Sequence, residues 1–251
     1  ELNYDGNGYN TAVGHDAGRK VSTGINNTLI GGLAGDAMTT GSNNVALGYG
    51  ALSAEDAHSF NVAIGGYSLY SQNAGANAYN TAVGYNTGFA ISTGVQNTII
   101  GGLAGDALTT GSQNTAVGYG ALSTEDANGR NTAIGYGALN LLNAGTEGFN
   151  TAVGDLAGTA MTTGVANTLV GGLAGDALTT GVSNVFVGND AGGSLTTGES
   201  NVAVGKDALL ASVDGDHNTA IGFKALEDYE DGNGNGHNTA IGSKSQLNAS
   251  T

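Results

Sequence analysis

The chain has 251 residues, of which 46 are Gly, and it contains no Pro, Cys or Trp. The absence of Cys excludes a disulfide framework and a thiolate metal site, and glycine without a three-residue period excludes collagen. Twenty-one acidic residues against six basic ones give a net charge of −15, so we expect no nucleic-acid partner. No run approaches 18 apolar residues, so we also expect no membrane insertion.

An internal repeat dominates the sequence. The pentapeptide Asn-Thr/Val-apolar-Val/Ile/Leu-Gly occurs fourteen times, in steps of 17 residues except for two of 19 and one of 20. A weaker similarity repeats every 70 residues, from Asn10, Asn80 and Asn150. We therefore treat residues 1–251 as a single repetitive segment, and expect it to belong to a longer protein. The repeated Asn residues, in chain order, are Asn10, Asn27, Asn44, Asn61, Asn80, Asn97, Asn114, Asn131, Asn150, Asn167, Asn184, Asn201, Asn218 and Asn238.

The repeat length determines the predicted fold class. Seventeen residues are too few for a helical hairpin, and each pentapeptide ends in β-branched residues and Gly without a 3.6-residue period. Each repeat therefore predicts one coil of an all-β parallel β-solenoid, or β-roll: a short strand at the pentapeptide, a corner, a second short strand and a second corner. The chain predicts 14 such coils of about 17 residues.

The corners carry their own signals. The Gly that closes each pentapeptide predicts a positive φ or a backbone approach that excludes a Cβ atom. Twelve coils have Gly or Asn three residues before the repeated Asn, as at Gly24 and Gly41, and we expect the left-handed conformation there. We expect the repeated Asn side chains to stack, with each amide bonding the next coil.

The core follows a rule of compensation. Three residues after the closing Gly every coil has a small residue, and the next residue in coils 1–13 is either Gly or Leu. Where it is Gly, a large apolar residue stands three positions on; where it is Leu, that later position is usually polar, as at Glu55 and Glu125, and we expect it to be exposed. Each coil thus supplies one large core residue. These are Val21, Met38, Leu52, Leu69, Ile91, Leu108, Leu122, Leu139, Met161, Leu178, Leu195, Leu209 and Leu226.

The strands are apolar on both faces. Thr11 and Val13, with their equivalents, point to one side, and the residue between them, Ala in ten coils, points to the other. A strand that meets water normally has one polar face, and none of the 27 charged residues lies inside a pentapeptide. We therefore expect further copies of the chain to cover the second face, in a homo-oligomer.

The pentapeptides at residues 131–135 and 218–222 are similar to the Asn-Thr-Ala-Ile-Gly repeats of phage tail-fibre proteins. Residues 43–48 resemble the head repeats of trimeric autotransporter adhesins, which are usually a few residues shorter. The resemblance covers essentially the whole chain. It implies a left-handed β-roll in a three-fold bundle, hence a homotrimer, on a cell surface or virion, with a glycan or protein receptor as a further partner.

Several motifs were weighed as sites. The Gly-Gly-Leu-Ala-Gly-Asp sequences at 31–36, 101–106 and 171–176 lack the alternating oxygens that calcium requires, and the acidic stretch 227–231 is typical of a solvated loop. The four His residues are scattered. We therefore expect no catalytic residue, no metal site and no cofactor. Tyr9, Tyr79 and Phe149, which recur at the 70-residue period, could stack on sugars or fill gaps between chains.

The favoured function is a structural segment, shaft or head, of an extracellular fibre that takes part in host or surface attachment. A self-assembling extracellular filament is the main alternative, because open solenoid ends expose unpaired strands. A polysaccharide-degrading tailspike would need paired carboxylates at a singular position. An ice-binding solenoid would need an unbroken Thr array, whereas the Ser/Thr-Thr pairs are interrupted by coils without them.

Overall fold

The computed structural model of the protein describes residues 8–124, 127, 129–229 and 236–246. It divides into two compact units, Glu1–Gly129 and Arg130–Thr251, each with seven three-residue strands. The first unit holds β1 Thr11–Val13, β2 Thr28–Ile30, β3 Val45–Leu47, β4 Val62–Ile64, β5 Thr81–Val83, β6 Thr98–Ile100 and β7 Thr115–Val117. The second holds β8 Thr132–Ile134, β9 Thr151–Val153, β10 Thr168–Val170, β11 Val185–Val187, β12 Val202–Val204, β13 Thr219–Ile221 and β14 Thr239–Ile241.

Within each unit every strand pairs in parallel with its neighbours in sequence, so that equivalent residues of successive repeats lie side by side. Thr11, Ala12 and Val13 of β1, for example, are in register with Thr28, Leu29 and Ile30 of β2, and the pairing continues in the same way through the second unit. The described residues contain no helix. The predicted parallel β-solenoid is therefore confirmed. We number its coils 1 to 14 by their repeated Asn, and number positions within a coil from that Asn.

Each coil has one regular strand instead of the expected two. The far segment consists of turns and bends, yet it still bonds to the next coil: the Gly18 N–H donates to the Ala34 carbonyl at 2.9 Å, and the Ser22 N–H donates to the Thr39 carbonyl at 2.9 Å. Small and left-handed residues bend the far segment too sharply for a pleated strand.

The closing Gly at position 5 meets both parts of its prediction. All fourteen have φ between 120° (Gly242) and 149° (Gly154). A Cβ atom on Gly31 would lie 2.4 Å from the Gly48 carbonyl oxygen of the next coil, which no side chain could relieve. The conformation and the stacking of coils therefore both require Gly here.

The predicted left-handed residues are in the wrong place. Gly24 and Gly41, three residues before an Asn, do not have the left-handed φ; a Cβ on Gly24 would instead lie 2.2 Å from the Gly41 carbonyl oxygen. The left-handed residue is the one directly before each Asn, with φ between 43° and 67°. Gly at position 15 is thus selected by close approach between coils, while residues as large as Tyr79 and Arg130 accept the strained conformation.

The core lies inside the coils. The middle residue of each strand points inward, and Leu29, Ile99, Leu169 and Phe186 are fully buried there. All thirteen large core residues named from the sequence have zero exposure, and so does Leu142 at position 12 of coil 8.

The expectation that polar residues at position 12 are exposed is wrong. Glu55 and Gln72 have zero exposure and Ser212 has 1%; Glu125 lies outside the described residues. Position 12 points into the core in every coil in which it is described, because the turn preceding it fixes its direction whatever the side chain. A polar residue there must therefore find a hydrogen-bond partner inside the solenoid.

Candidate functional site

The repeated Asn residues form a buried hydrogen-bonded column in each unit. The Asn44 N–H donates to Asn27 Oδ1 at 2.9 Å, and the Asn61 N–H donates to Asn44 Oδ1 at 2.9 Å. In regular coils the Asn Nδ2 also donates to the carbonyl 14 residues further on, as from Asn27 to Gly41 at 2.8 Å. The side chain thus satisfies backbone groups of both corners, and direct amide-to-amide bonds are added in the second unit, as between Asn184 and Asn167 at 3.1 Å.

This column changes where a coil is longer than 17 residues. Asn61 and Asn218 begin the coils of 19 and 20 residues, and the buried Nδ2 of each has no hydrogen-bond partner. Two other buried atoms are also unpaired: Glu55 Oε2 and Ser212 Oγ, each six residues before one of these Asn residues. The extra residues displace the corner carbonyl that Nδ2 would otherwise reach.

Equivalent positions show how these atoms are related. Position 12 faces the Asn of the next coil: Met38 Sδ lies 3.8 Å from Asn44 Nδ2, and Gln72 Oε1 accepts from Asn80 Nδ2 at 2.6 Å. Glu55 and Asn61 occupy the same pair of positions. We infer that a side-chain rotation joins Oε2 to Nδ2, because two buried complementary groups are costly to leave unpaired. Position 12 is therefore a polar partner for the repeated Asn wherever the next coil is expanded.

The histidines do not share one environment. His58 is largely buried, and its Nδ1 lies 2.7 Å from Glu55 Oε1, which also accepts the His58 N–H at 2.9 Å. This contradicts the expectation of a surface residue. His217 and His237 stack at 4.8 Å between ring centroids. Among the described residues no group of three His, Cys, Asp or Glu side chains could hold a metal ion.

The calcium-like corners serve as hydrogen-bond acceptors. The Ser53 hydroxyl donates to Asp36 at 2.6 Å, and the Ser123 hydroxyl donates to Asp106 at 2.5 Å. Asp176 is the third copy and differs, because burial, and secondarily the charge of Asp190, raise its pKa above the usual range. Two acids on a corner remain far short of a cation site, which needs six or more oxygens.

The aromatic residues of the 70-residue period lie at the corner before the Asn, on the left-handed residue. Tyr9 is 84% exposed, and Tyr79 stacks in parallel on Phe60 at 5.0 Å. Phe149 lies 5.3 Å beneath the Arg130 guanidinium. Their partners are thus the equivalent residues of adjacent coils, which favours a packing role for Tyr79 and Phe149.

The analysis of the repeats missed a second aromatic group, at the corner after the strand, where Tyr alternates with Gly at position 6. The tyrosines are Tyr49, Tyr85 and Tyr119, each more than half exposed. The alternation was visible in the sequence, but it follows a two-coil period that comparison of single coils does not reveal.

Comparison with known proteins finds no matching family model, no similar curated protein and no similar solved structure. No helix among the described residues is long and apolar enough to cross a bilayer.

Proposed function

We propose that the chain is a non-catalytic segment of an extracellular or virion fibre, of the kind found in phage tail fibres and bacterial surface adhesins, and that it works as a homotrimer. In this arrangement the outward faces of the strands pack against those of the other two chains. The similarity of the Asn-Thr-Ala-Ile-Gly repeats supports the class of protein. The surface of the strands supports the association.

The carrying observation is the outward strand face. Positions 2 and 4 of each coil point away from the core and are Thr or Val, and Val, Ile or Leu. In the first unit Val13, Leu47 and Ile100 are 58%, 42% and 38% exposed, and none of the fourteen outward residues is charged. A regular uncharged surface of this kind marks an interaction site, and a chain with a net charge of −15 has had ample acidic residues to place there instead.

The assembly is tested by sedimentation of the full chain. We expect a trimer, and we expect Ile100→Lys to dissociate it because a buried unpaired ammonium is strongly unfavourable. Thr110→Lys is the control, since Thr110 is exposed on the far segment, and it should leave the trimer intact. A folded wild-type monomer would refute the proposal, as would a trimer insensitive to Ile100→Lys.

The absence of catalysis is tested separately. The acids of the repeated corners lie in environments that recur from coil to coil, whereas a catalytic site needs a few groups in singular geometry. We expect incubation with surface polysaccharides to release no oligosaccharide, and a chelator to leave the melting curve unchanged. Fragments whose release is lost on replacing Asp176 or Asp190 would instead indicate a tailspike.

A second candidate rests on the threonines of the same face. Position 2 is Thr in ten coils, so a monomer would present hydroxyl and methyl groups at regular intervals of about 4.8 Å. This row differs from the interrupted Ser/Thr-Thr pairs, although Val45 and Val62 replace Thr in coils 3 and 4. If the chain is monomeric, ice binding predicts thermal hysteresis that Thr98→Lys abolishes; a trimer without hysteresis excludes it.

A further inference from the structure

An exposed group of five aromatic rings lies at the corner after the strand in coils 3 to 5 of the first unit. Tyr67 is its centre, with ring centroids 5.4 Å from Tyr49, 5.7 Å from Tyr70, 6.3 Å from Tyr85 and 6.4 Å from Phe89. Tyr70 and Phe89 stack in parallel at 5.2 Å. We call these five residues the aromatic corner.

The glycines of neighbouring coils make room for the outer rings. A Cβ atom on Gly32 would come within 3.2 Å of Tyr49 Cδ2, and one on Gly66 within 3.5 Å of Tyr85 Cδ2. Each ring therefore leans over the Gly of the preceding coil, and Tyr49 and Tyr85 stay 53% and 61% exposed. They are two coils apart, which corresponds to about 9.6 Å.

The solenoid does not need these rings. At the equivalent corner of the second unit, position 6 is occupied by Asp155, Gly172, Asn189 and Lys206, and those coils keep the same strand pairing and buried core. The rings are outside the coils, and their removal leaves the inward residues untouched. A group of aromatic side chains held at the surface without a role in the core indicates binding.

The charge distribution narrows the class of ligand. Residues 48–54, 65–71 and 84–90, which form this corner in the three coils, include no charged residue, although the chain has 27. A nucleic acid would require a basic groove beside the rings, and a cationic ligand would find no carboxylate. Exposed rings with four phenolic hydroxyls suit a neutral ligand that presents both C–H faces and hydroxyl groups, as pyranose sugars do.

We propose that the aromatic corner binds a neutral polysaccharide, with sugar rings stacked on Tyr49 and Tyr85 and with the glycan running along the stack of coils. The spacing of the two rings is comparable to the length of a disaccharide unit, so one chain can reach both. The corner is separate from the outward positions 2 and 4 of the strands. The proposal therefore does not depend on the trimer, and either one can fail alone.

The binding test uses the full chain in affinity electrophoresis, in gels containing soluble neutral polysaccharides: a β-1,4-glucan, a β-1,3-glucan, a galactomannan and an α-1,6-glucan. At least one should retard the wild type, and the Tyr49→Ala/Tyr85→Ala double variant should bind it at least about tenfold more weakly, since each lost ring weakens binding several-fold. Tyr79→Ala is the control, because Tyr79 is an equally exposed ring at the other corner, and it should bind as the wild type does.

A second measurement needs no variant. The chain has ten Tyr and no Trp, so its near-ultraviolet fluorescence reports tyrosine alone, and titration with the retarding glycan should change it with saturation. The proposal is overturned if no neutral polysaccharide in the panel retards the protein, or if the double variant binds as well as the wild type. It is also overturned if the double variant changes the sedimentation of an otherwise non-binding protein, because the corner is then a contact between copies.

Discussion

Replacement of one Asn of the buried column tests how much the solenoid depends on it. In Asn97→Ala the backbone N–H of residue 97 keeps its bond to Asn80 Oδ1, at 2.8 Å. Two other groups lose theirs: the Gly111 carbonyl, which now accepts from Asn97 Nδ2 at 2.9 Å, and the Asn114 N–H, which donates to Asn97 Oδ1 at 2.9 Å. At about 1–3 kcal/mol for each buried group left unsatisfied, we expect the free energy of unfolding to fall by about 2–6 kcal/mol.

The adjacent Gln96 provides a matched control. Its side chain is exposed and bonds only the exposed Gln113 amide, at 3.2 Å. Its φ of 60° is equally strained for Gln and for Ala, so Gln96→Ala should change the free energy of unfolding by less than about 0.5 kcal/mol. Guanidinium unfolding at a fixed protomer concentration measures both, since association would otherwise alter the midpoints. Equal midpoints for the two variants would refute the structural role assigned to the column.

Three further comparisons test other parts of the fold. Leu142→Ala, at a fully buried residue, should cost about 2–5 kcal/mol, whereas Leu141→Ala, at a neighbour that is 47% exposed, should cost less than about 0.5 kcal/mol; similar melting temperatures would contradict the core assignment. Glu55→Ala should cost about 1–3 kcal/mol by leaving buried partners unpaired, and Glu55→Gln far less, which thermal unfolding of the two variants distinguishes. Gly101→Ala should prevent correct stacking, because its Cβ would lie 2.5 Å from a carbonyl oxygen, while Gly75→Ala, also at positive φ but with open space around it, should retain the native circular dichroism spectrum.

The sequence was sufficient for features that repeat in every coil. The 17-residue period predicts the parallel register directly, since residues such as Thr11 and Thr28 must lie side by side in a solenoid. The alternation of Gly or Leu at position 9 with a large residue at position 12 identified side chains that are all buried, including Val21 and Leu226. Both features are properties of composition at fixed positions, and the repetition multiplies the signal.

Features that depend on contacts between particular coils could not be read in the same way. Gly24 and Gly41 have the composition of left-handed residues, yet close approach to the next coil explains them, while the left-handed conformation falls on Tyr79 and other residues that rarely adopt it. Glu55 is charged, and charge ordinarily predicts exposure. Its burial follows from the direction of position 12, which composition alone does not determine.

The expanded coils show how a repeat protein accepts an insertion without losing its internal hydrogen bonds. The three longer coils begin at Asn61, Asn131 and Asn218, and position 12 of the coil before each is Glu55, Glu125 and Ser212; Glu125 lies outside the described residues. At the two described sites the Nδ2 of the following Asn lacks a partner and the polar residue has an unpaired atom. An insertion in one coil is thus accompanied by a polar replacement in the coil before it. Since the large residue at position 9 already fills these coils, position 12 can become polar without opening a cavity, and this explains why the two kinds of coil exist.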